Sequence, residues 1–414
     1  MDSPRCHLPP LPPGRHYQFH TMVKPAGALC NLDCSYCFYL HKTELLGHAP
    51  NARMGDEVLE QHIRQYIEAQ TGPEVVFSWQ GGEPTVMGLP FFEKVVALQA
   101  RHAKPGQTIA NDLQTNGLLL DADWIRFLKA HGFHVGLSID GPRELHDLHR
   151  RTLGGTPTFD KVMQAARLLA DAEVPFAALC VVNREVAREP LAVWRFLSRE
   201  VGTWRVQFTP CVEPRSFAGQ APASLPASSL PTVGSERARP GHPLSIVTDW
   251  SVDPVDYGHF LCAVWDDWLA HDFGRIHVNL FETAVAQSLG LPAQTCTQAP
   301  ICGKALAVEH DGEVYSCDHF VYPEYRLGNL LQAHLGDLAF SAPQVAFGLA
   351  KHDRLPGDCR QCPHLNLCWG ECPKNRLLRT ASGEAGLNYL CEGFKRFYAQ
   401  VARDMPEIRR RLGR

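Results

Sequence analysis

Residues 30–40 read CNLDCSYCFYL and set Cys30, Cys34 and Cys37 in a CxxxCxxC spacing. They follow directly on YQFHTMVKP, whose aromatic and β-branched residues predict a strand. Thiols so closely spaced can wrap one face of a metal group. A zinc site normally takes four protein ligands, so a zinc knuckle here would need His41 as its fourth. Three thiolates instead suit a [4Fe–4S] cluster with one iron left open to a further ligand.

The strand before this loop opens a longer series. YQFHTMVKP, EVVFSWQ, TIANDLQTN, HVGLSID, PFAALCVVN and WRVQFTP alternate with helical patterns such as DEVLEQHIRQYIEAQ, PFFEKVVALQARH and TFDKVMQAARLLADA. Strand and helix in regular alternation predict parallel βα units and an α/β fold, either an incomplete barrel or an open doubly wound sheet. Chemistry in such folds gathers at the C-terminal strand ends. Those ends are polar here. WQGGEP after the second strand supplies Gly81 and Gly82, which let backbone approach a ligand, and Glu83, a carboxylate for an amino group. QTNG adds Asn116, and LSIDG adds Ser138 and Asp140.

The chain has 414 residues, enough for two or three domains, and 40 Lys and Arg against 44 Asp and Glu, a net charge of -4. No run of like charge points to nucleic acid or to an anionic membrane. No apolar stretch approaches the length of a membrane span, and the N-terminal MDSPRCHLPPLPPGRHYQF lacks the apolar core of a signal peptide. A soluble, cytoplasmic protein is expected. Its 15 cysteines then imply metal or redox chemistry, because that compartment keeps thiols reduced. Cys6, Cys180, Cys211 and Cys262 stand alone and read as small buried or incidental residues. Cys296, Cys302, Cys317, Cys359, Cys362, Cys368, Cys372 and Cys391 crowd the last third, where long helical patterns are scarce.

Five regions follow: the βα-repeat domain over 17–212, a Pro/Ala/Ser-rich segment over 213–245 read as a mobile loop or linker, a helical connection over 246–295, the cysteine-rich domain over 296–391, and a closing amphipathic helix over 392–414.

CxxxCxxC after the first strand, Tyr36 before the third cysteine and GGEP after the second strand resemble the radical S-adenosylmethionine superfamily. The resemblance implies a partial (β/α)6 barrel whose three-cysteine cluster binds S-adenosyl-L-methionine through the open iron and cleaves it to a 5′-deoxyadenosyl radical. It implies contacts from Tyr36 to adenine, Gly82 and Glu83 to the methionine end, Ser138 and Arg150 to the carboxylate and ribose, and Val212 to the adenosine. Arg151 is the neighbouring candidate for the Arg150 role.

The later cysteines resemble the SPASM extension, which carries two auxiliary [4Fe–4S] clusters. That resemblance implies Cys296, Cys302, Cys317 and Cys372 for one and Cys359, Cys362, Cys368 and Cys391 for the other, three clusters in all. KPAGALCNLDCSYCFYLHK, FSWQGGEPTVMGLPFFEKVV, LQTNG, GLSIDGP and YSCDHF…RLGN together are similar to the anaerobic sulfatase-maturating enzymes. Their activity would make this chain an oxidoreductase that converts a cysteine or serine of a sulfatase C/S-x-P/A-x-R segment to Cα-formylglycine. The partners implied are the sulfatase polypeptide and a flavodoxin or ferredoxin-type reductant, with the enzyme a monomer that binds neither nucleic acid nor membrane.

In that family the aspartate beside the cluster cysteine, here Asp318, accepts a proton, and a tyrosine at the position of Tyr39 faces the substrate. A base acting on an alcohol or thiol calls for a carboxyl pKa raised by burial. Without that role, Asp318 would cap the following turn or support the ligand shell. His319 reads as structural. Two other readings compete: a SPASM-type maturase crosslinking a ribosomally made peptide, and a non-enzymatic zinc or iron–sulfur scaffold.

Overall fold

The computed structural model describes residues 16–413. The chain forms two compact units, each assembled from separated segments. The first comprises residues up to Ser138, Arg150–Phe176 and Gly303–Leu349; the second comprises Ile139–His149, Ala177–Cys302 and Ala350–Arg414.

In the first unit β1 (His20–Lys24), β2 (Glu74–Trp79), β3 (Thr108–Thr115) and β4 (His134–Ser138) run parallel in sequence order. Helices Asp56–Ala69, Leu89–His102 and Ala122–Ala130 connect them. The helix sequences explain why. Asp56–Ala69 buries Leu59, Ile63, Tyr66 and Ile67 at helical spacing, and Asp121 caps Ala122–Ala130 by accepting from the Asp123 and Trp124 amides. On the other side of β1 lies β8 (Ala305–Glu309), also parallel, followed by the antiparallel β9 (Glu313–Tyr315) and β10 (Arg326–Asn329). Register pairs Lys24 of β1 with Glu309 of β8. Chain from far downstream thus lies beside the first strand, and it carries Cys317 and Asp318.

The second unit continues the parallel pattern with β5 (Phe176–Val182), β6 (Arg205–Pro210) and β7 (His277–Val278). The sheet does not close on itself in either unit, in keeping with a partial rather than a complete barrel. Helices Pro254–His271 and Cys391–Arg411 cross where Gly258 meets Gly393: a Cβ at Gly258 would stand 2.7 Å from the Gly393 Cα. Trp265 and Phe397 pack edge to face beside them.

Each expected strand of the βα series is present. The 213–245 segment is a loop with three short 3-10 turns; it buries Ala221, Leu230 and Ala238, and bonds to β11 (Leu378–Arg379) through the Val233 amide to the Arg379 carbonyl and the Arg379 amide to the Pro231 carbonyl, both 2.9 Å. β11 pairs in turn with β12 (Ala385–Leu387). The segment's prolines fix φ for its turns. Cys180, Cys211 and Cys262 are buried, while Cys6 lies outside the described residues.

Candidate functional site

The loop after β1 holds Cys30, Cys34 and Cys37 half-buried, none of them in a disulfide. The GGEP segment clamps it, the Gly82 amide donating to the Gly27 carbonyl and the Glu83 amide to that of Leu29, each at 2.9 Å. A Cβ on Gly82 would stand 2.1 Å from the Leu29 oxygen, and one on Gly81, at φ +123°, 2.8 Å from the Gly27 oxygen. These glycines therefore permit the close contact between the end of β2 and the thiol loop. Glu83 is buried: Oε1 accepts from the Thr85 amide and hydroxyl and from the Thr115 hydroxyl, and Oε2 from the Asn116 amide. Oε2 is thus the oxygen with acceptor capacity left for an amino group. Asn116 ties the end of β3 to the loop through Asn31, at 2.7 Å.

Backbone amides point at two of the sulfurs, Leu32 at Cys30 Sγ and Tyr39 at Cys37 Sγ, both 3.4 Å. Burial first, and the Glu83 carboxylate second, push the Cys30 thiol up to about 12. A metal bound there must displace the proton.

Around this loop Tyr36 is buried, with the Arg150 guanidinium 5.6 Å from its ring centre. Arg151 instead is exposed and donates to the Gly155 carbonyl of its own loop. Ser138 is buried at the end of β4. In the second unit Val212 is fully buried and its carbonyl accepts from Lys374 Nζ at 2.8 Å, while Lys374 also pairs with Glu213. Asp140, two residues past the end of β4, is 0% exposed, and its Oδ1 accepts from the Val181 amide.

Asp318 opens a 3-10 turn directly after Cys317. It forms an ion pair with Lys24, which is 2% exposed at the end of β1. Burial raises its carboxyl pKa, but the Lys24 ammonium, helped by His319 and Lys42, outweighs this and holds it below the usual carboxylate range. That is opposite to the upward shift that a base acting on an alcohol or thiol calls for, and Lys24 is its cause. The Lys24 ammonium also stands 4.6 Å from the centre of the Tyr39 ring. Tyr39 packs with Ala28, Ala307, Tyr315 and Val321, and its hydroxyl donates to Glu309. Burial and the adjacent Glu309 carboxylate raise the phenol well above its ordinary pKa, so it remains a donor. His319 stacks edge-on against Phe38 and His41 lies beside Tyr322, both in aromatic packing.

In the second unit Cys359, Cys362, Cys368 and Cys391 line a single pocket with His364, Leu365, Phe394 and Tyr398. Two chain segments distant in sequence supply these thiols, a donor set that fits full cysteine ligation of an iron–sulfur cluster. Burial pushes Cys368 up to about 12 and Cys391 up to about 11. Cys296, Cys302 and Cys372 share the field of Lys351, a fully buried lysine that donates to the carbonyls of Cys296, Thr297 and Ala299. Burial depresses the Lys351 pKa, and Cys372 and Glu371 oppose that shift.

Sequence patterns did not single out Lys24, Glu309 or Lys351. For Lys24 and Glu309 the available signal was a charged residue ending an otherwise apolar strand, in HTMVK and ALAVE, whereas Lys351 lies within the helix Ala342–Asp353.

Comparison with known proteins places residues 26–195 in the radical SAM superfamily and residues 296–363 in an iron–sulfur cluster-binding domain, SPASM. A serine-type anaerobic sulfatase-maturating enzyme of Bacteroides thetaiotaomicron is 42% identical over 95% of this chain and 92% of its own. A cysteine-type enzyme of the same description from Clostridium perfringens is 33% identical over 91% of this chain and 94% of its own. The solved structure of native anSMEcpe with bound AdoMet and Cp18Cys peptide matches with a TM-score of 0.79 at 31% identity, covering 95% of this chain and 99% of that one.

Proposed function

The chain belongs to the anaerobic sulfatase-maturating enzymes of the radical S-adenosylmethionine superfamily, and on that premise we propose that it oxidises a cysteine or serine within a sulfatase C/S-x-P/A-x-R segment to Cα-formylglycine. Supporting this reading most directly is the array in the first unit, where a half-buried carboxylate, Asp318, and a buried phenol, Tyr39, meet at Lys24 in the same unit as the thiol loop.

Cys30, Cys34 and Cys37 would hold a [4Fe–4S] cluster with an open iron, and Tyr36, Gly82, Glu83, Ser138, Arg150 and Val212 would contact S-adenosylmethionine. Bound together, these groups supply abstraction of a hydrogen atom from the substrate Cβ. The remaining work falls to side chains of this chain. Asp318 takes the hydroxyl or thiol proton, and the Tyr39 ring lies against the Lys24 ammonium that pairs with Asp318. Loss of that proton and of one electron would convert the substrate carbon radical to an aldehyde from serine, and an iron–sulfur cluster held by this chain's cysteines would supply the electron acceptor. From cysteine the same loss gives a thioaldehyde that water hydrolyses with release of sulfide.

Auxiliary [4Fe–4S] clusters on the eight C-terminal cysteines bring the cluster count to three. A flavodoxin or ferredoxin-type protein supplies electrons to a monomeric, cytoplasmic enzyme; among the described residues no helix is long and apolar enough to cross a membrane.

The test is anaerobic reconstitution followed by S-adenosylmethionine, reductant and peptides carrying CxPxR or SxPxR. Loss of about 18 Da from the cysteine peptide or about 2 Da from the serine peptide, as the proposed chemistry requires, is expected. Intact clusters with neither a mass change nor 5′-deoxyadenosine would sink the reading.

A further inference from the structure

Lys24 is the least expected group in the first unit: a lysine in the central strand β1, 2% exposed. An ammonium stays buried only when its charge is met. Here the partner is Asp318, and the surroundings fix the lysine from several directions. Its backbone is held in the β1–β8 ladder opposite Glu309, and Pro25 follows it. Its side-chain stem runs past Gly81, where a Cβ would stand 3.2 Å from Lys24 Cδ. Its ammonium lies against the Tyr39 ring, a cation–π contact that adds direction to the charge. Lys42, the other ammonium acting on Asp318, is held 3.2 Å from the centre of the Tyr322 ring, so the hydrogen-bonded partner is Lys24.

We propose that Lys24 is the positioning residue for the proton-accepting carboxylate: it grips Asp318 Oδ1, turns Oδ2 toward the substrate hydroxyl or thiol, and keeps Asp318 in line with Tyr39. The proposal rests on the reading of Asp318 as the base. It gives Gly81 a second task, leaving a channel for the lysine stem. It also separates two steps of the reaction. Hydrogen-atom abstraction from Cβ does not involve Lys24; proton removal from the heteroatom does.

The experiment uses the full-length reconstituted enzyme with a peptide deuterated at the target Cβ. Lys24→Met retains the stem without the charge. It should form deuterated 5′-deoxyadenosine within a few-fold of wild type while formylglycine falls about a hundredfold, the scale of a misplaced catalytic group. The ratio of deoxyadenosine to formylglycine therefore rises, and Lys24→Arg, which restores a cation, brings it back toward wild type. A wild-type ratio in Lys24→Met overturns the proposal. So does a parallel loss of iron, deoxyadenosine and formylglycine that Lys24→Arg repairs without changing the ratio, which marks a merely structural lysine. Should Lys24→Met fail to fold, Lys24→Gln takes its place, with a raised ratio expected and a wild-type ratio overturning. Asp318→Asn in parallel keeps the two ideas apart. If it turns over normally, the base reading fails; if it is inactive while Lys24→Met is normal, only the role of Lys24 falls.

Discussion

The thiol loop after β1 and the thiol pocket of the second unit use the same side chain in different numbers. The loop presents Cys30, Cys34 and Cys37 from consecutive turns of one short segment, clamped by Gly82 and Glu83. The pocket gathers Cys359, Cys362 and Cys368 from one segment and Cys391 from the start of the closing helix. Three thiolates leave one iron of a cubane free for a further ligand, whereas four close it. One protein can therefore keep a reactive and a sealed centre with the same ligand, and the count decides which is which.

The sharpest way to break this contrast is to remove one thiol from each. Cys34→Ala should lose about four irons per chain and drop 5′-deoxyadenosine formation to background. Cys368→Ala should lose about the same iron yet still form deoxyadenosine, with formylglycine reduced at least about tenfold. Iron analysis with chromatography of deoxyadenosine reads both. If Cys368→Ala also abolishes deoxyadenosine while the loop keeps its iron, the two centres are not separable.

Next in size is Asp318→Asn. It removes the carboxylate proposed as base from beside Cys317 without removing a thiol, so iron should be unchanged and formylglycine should fall about 10²- to 10⁴-fold. Iron lost in proportion to activity would place Asp318 with the ligands instead.

The smallest effect is on cluster loading. Burial holds Cys30 and Cys368 up at about 12 and Cys391 at about 11, and each must lose its proton to bind iron. Because the thiols are protonated below those values, iron uptake at fixed iron and sulfide should weaken as pH falls and strengthen as it rises. Loading of Cys34→Ala, through four-thiol sites alone, should fall more steeply with falling pH than that of Cys368→Ala per cluster retained. Equal slopes would remove the difference in thiol number as its cause.

Most of the α/β frame was legible because period-two strands and amphipathic helices leave strong local patterns, and the strand ends carried their polar residues in sequence motifs. The meander β8–β9–β10 was not. LAVEHDGEVY has alternation around an Asp311–Gly312 turn, but each strand is short, and the pairing of β8 with β1 spans far too much chain to read locally. The bonds from the 213–245 segment to Arg379 were hidden for a related reason, because Arg379 lies well outside the segment. The direction of the Asp318 pKa depended on Lys24, separated from it by most of the chain, so the residues around Asp318 could show neither its burial nor its counter-charge.

The central claim is that this chain abstracts a hydrogen atom from the side-chain carbon of a sulfatase cysteine or serine and leaves an aldehyde there. Incubating the reconstituted protein with S-adenosylmethionine, reductant and a Cβ-deuterated SxPxR or CxPxR peptide, then trapping aldehydes with a hydrazide, tests it most directly. The account predicts deuterium in 5′-deoxyadenosine and a hydrazone at the target residue. Deuterated deoxyadenosine beside a peptide that has lost hydrogen but forms no hydrazone, the outcome of a crosslink, would contradict it.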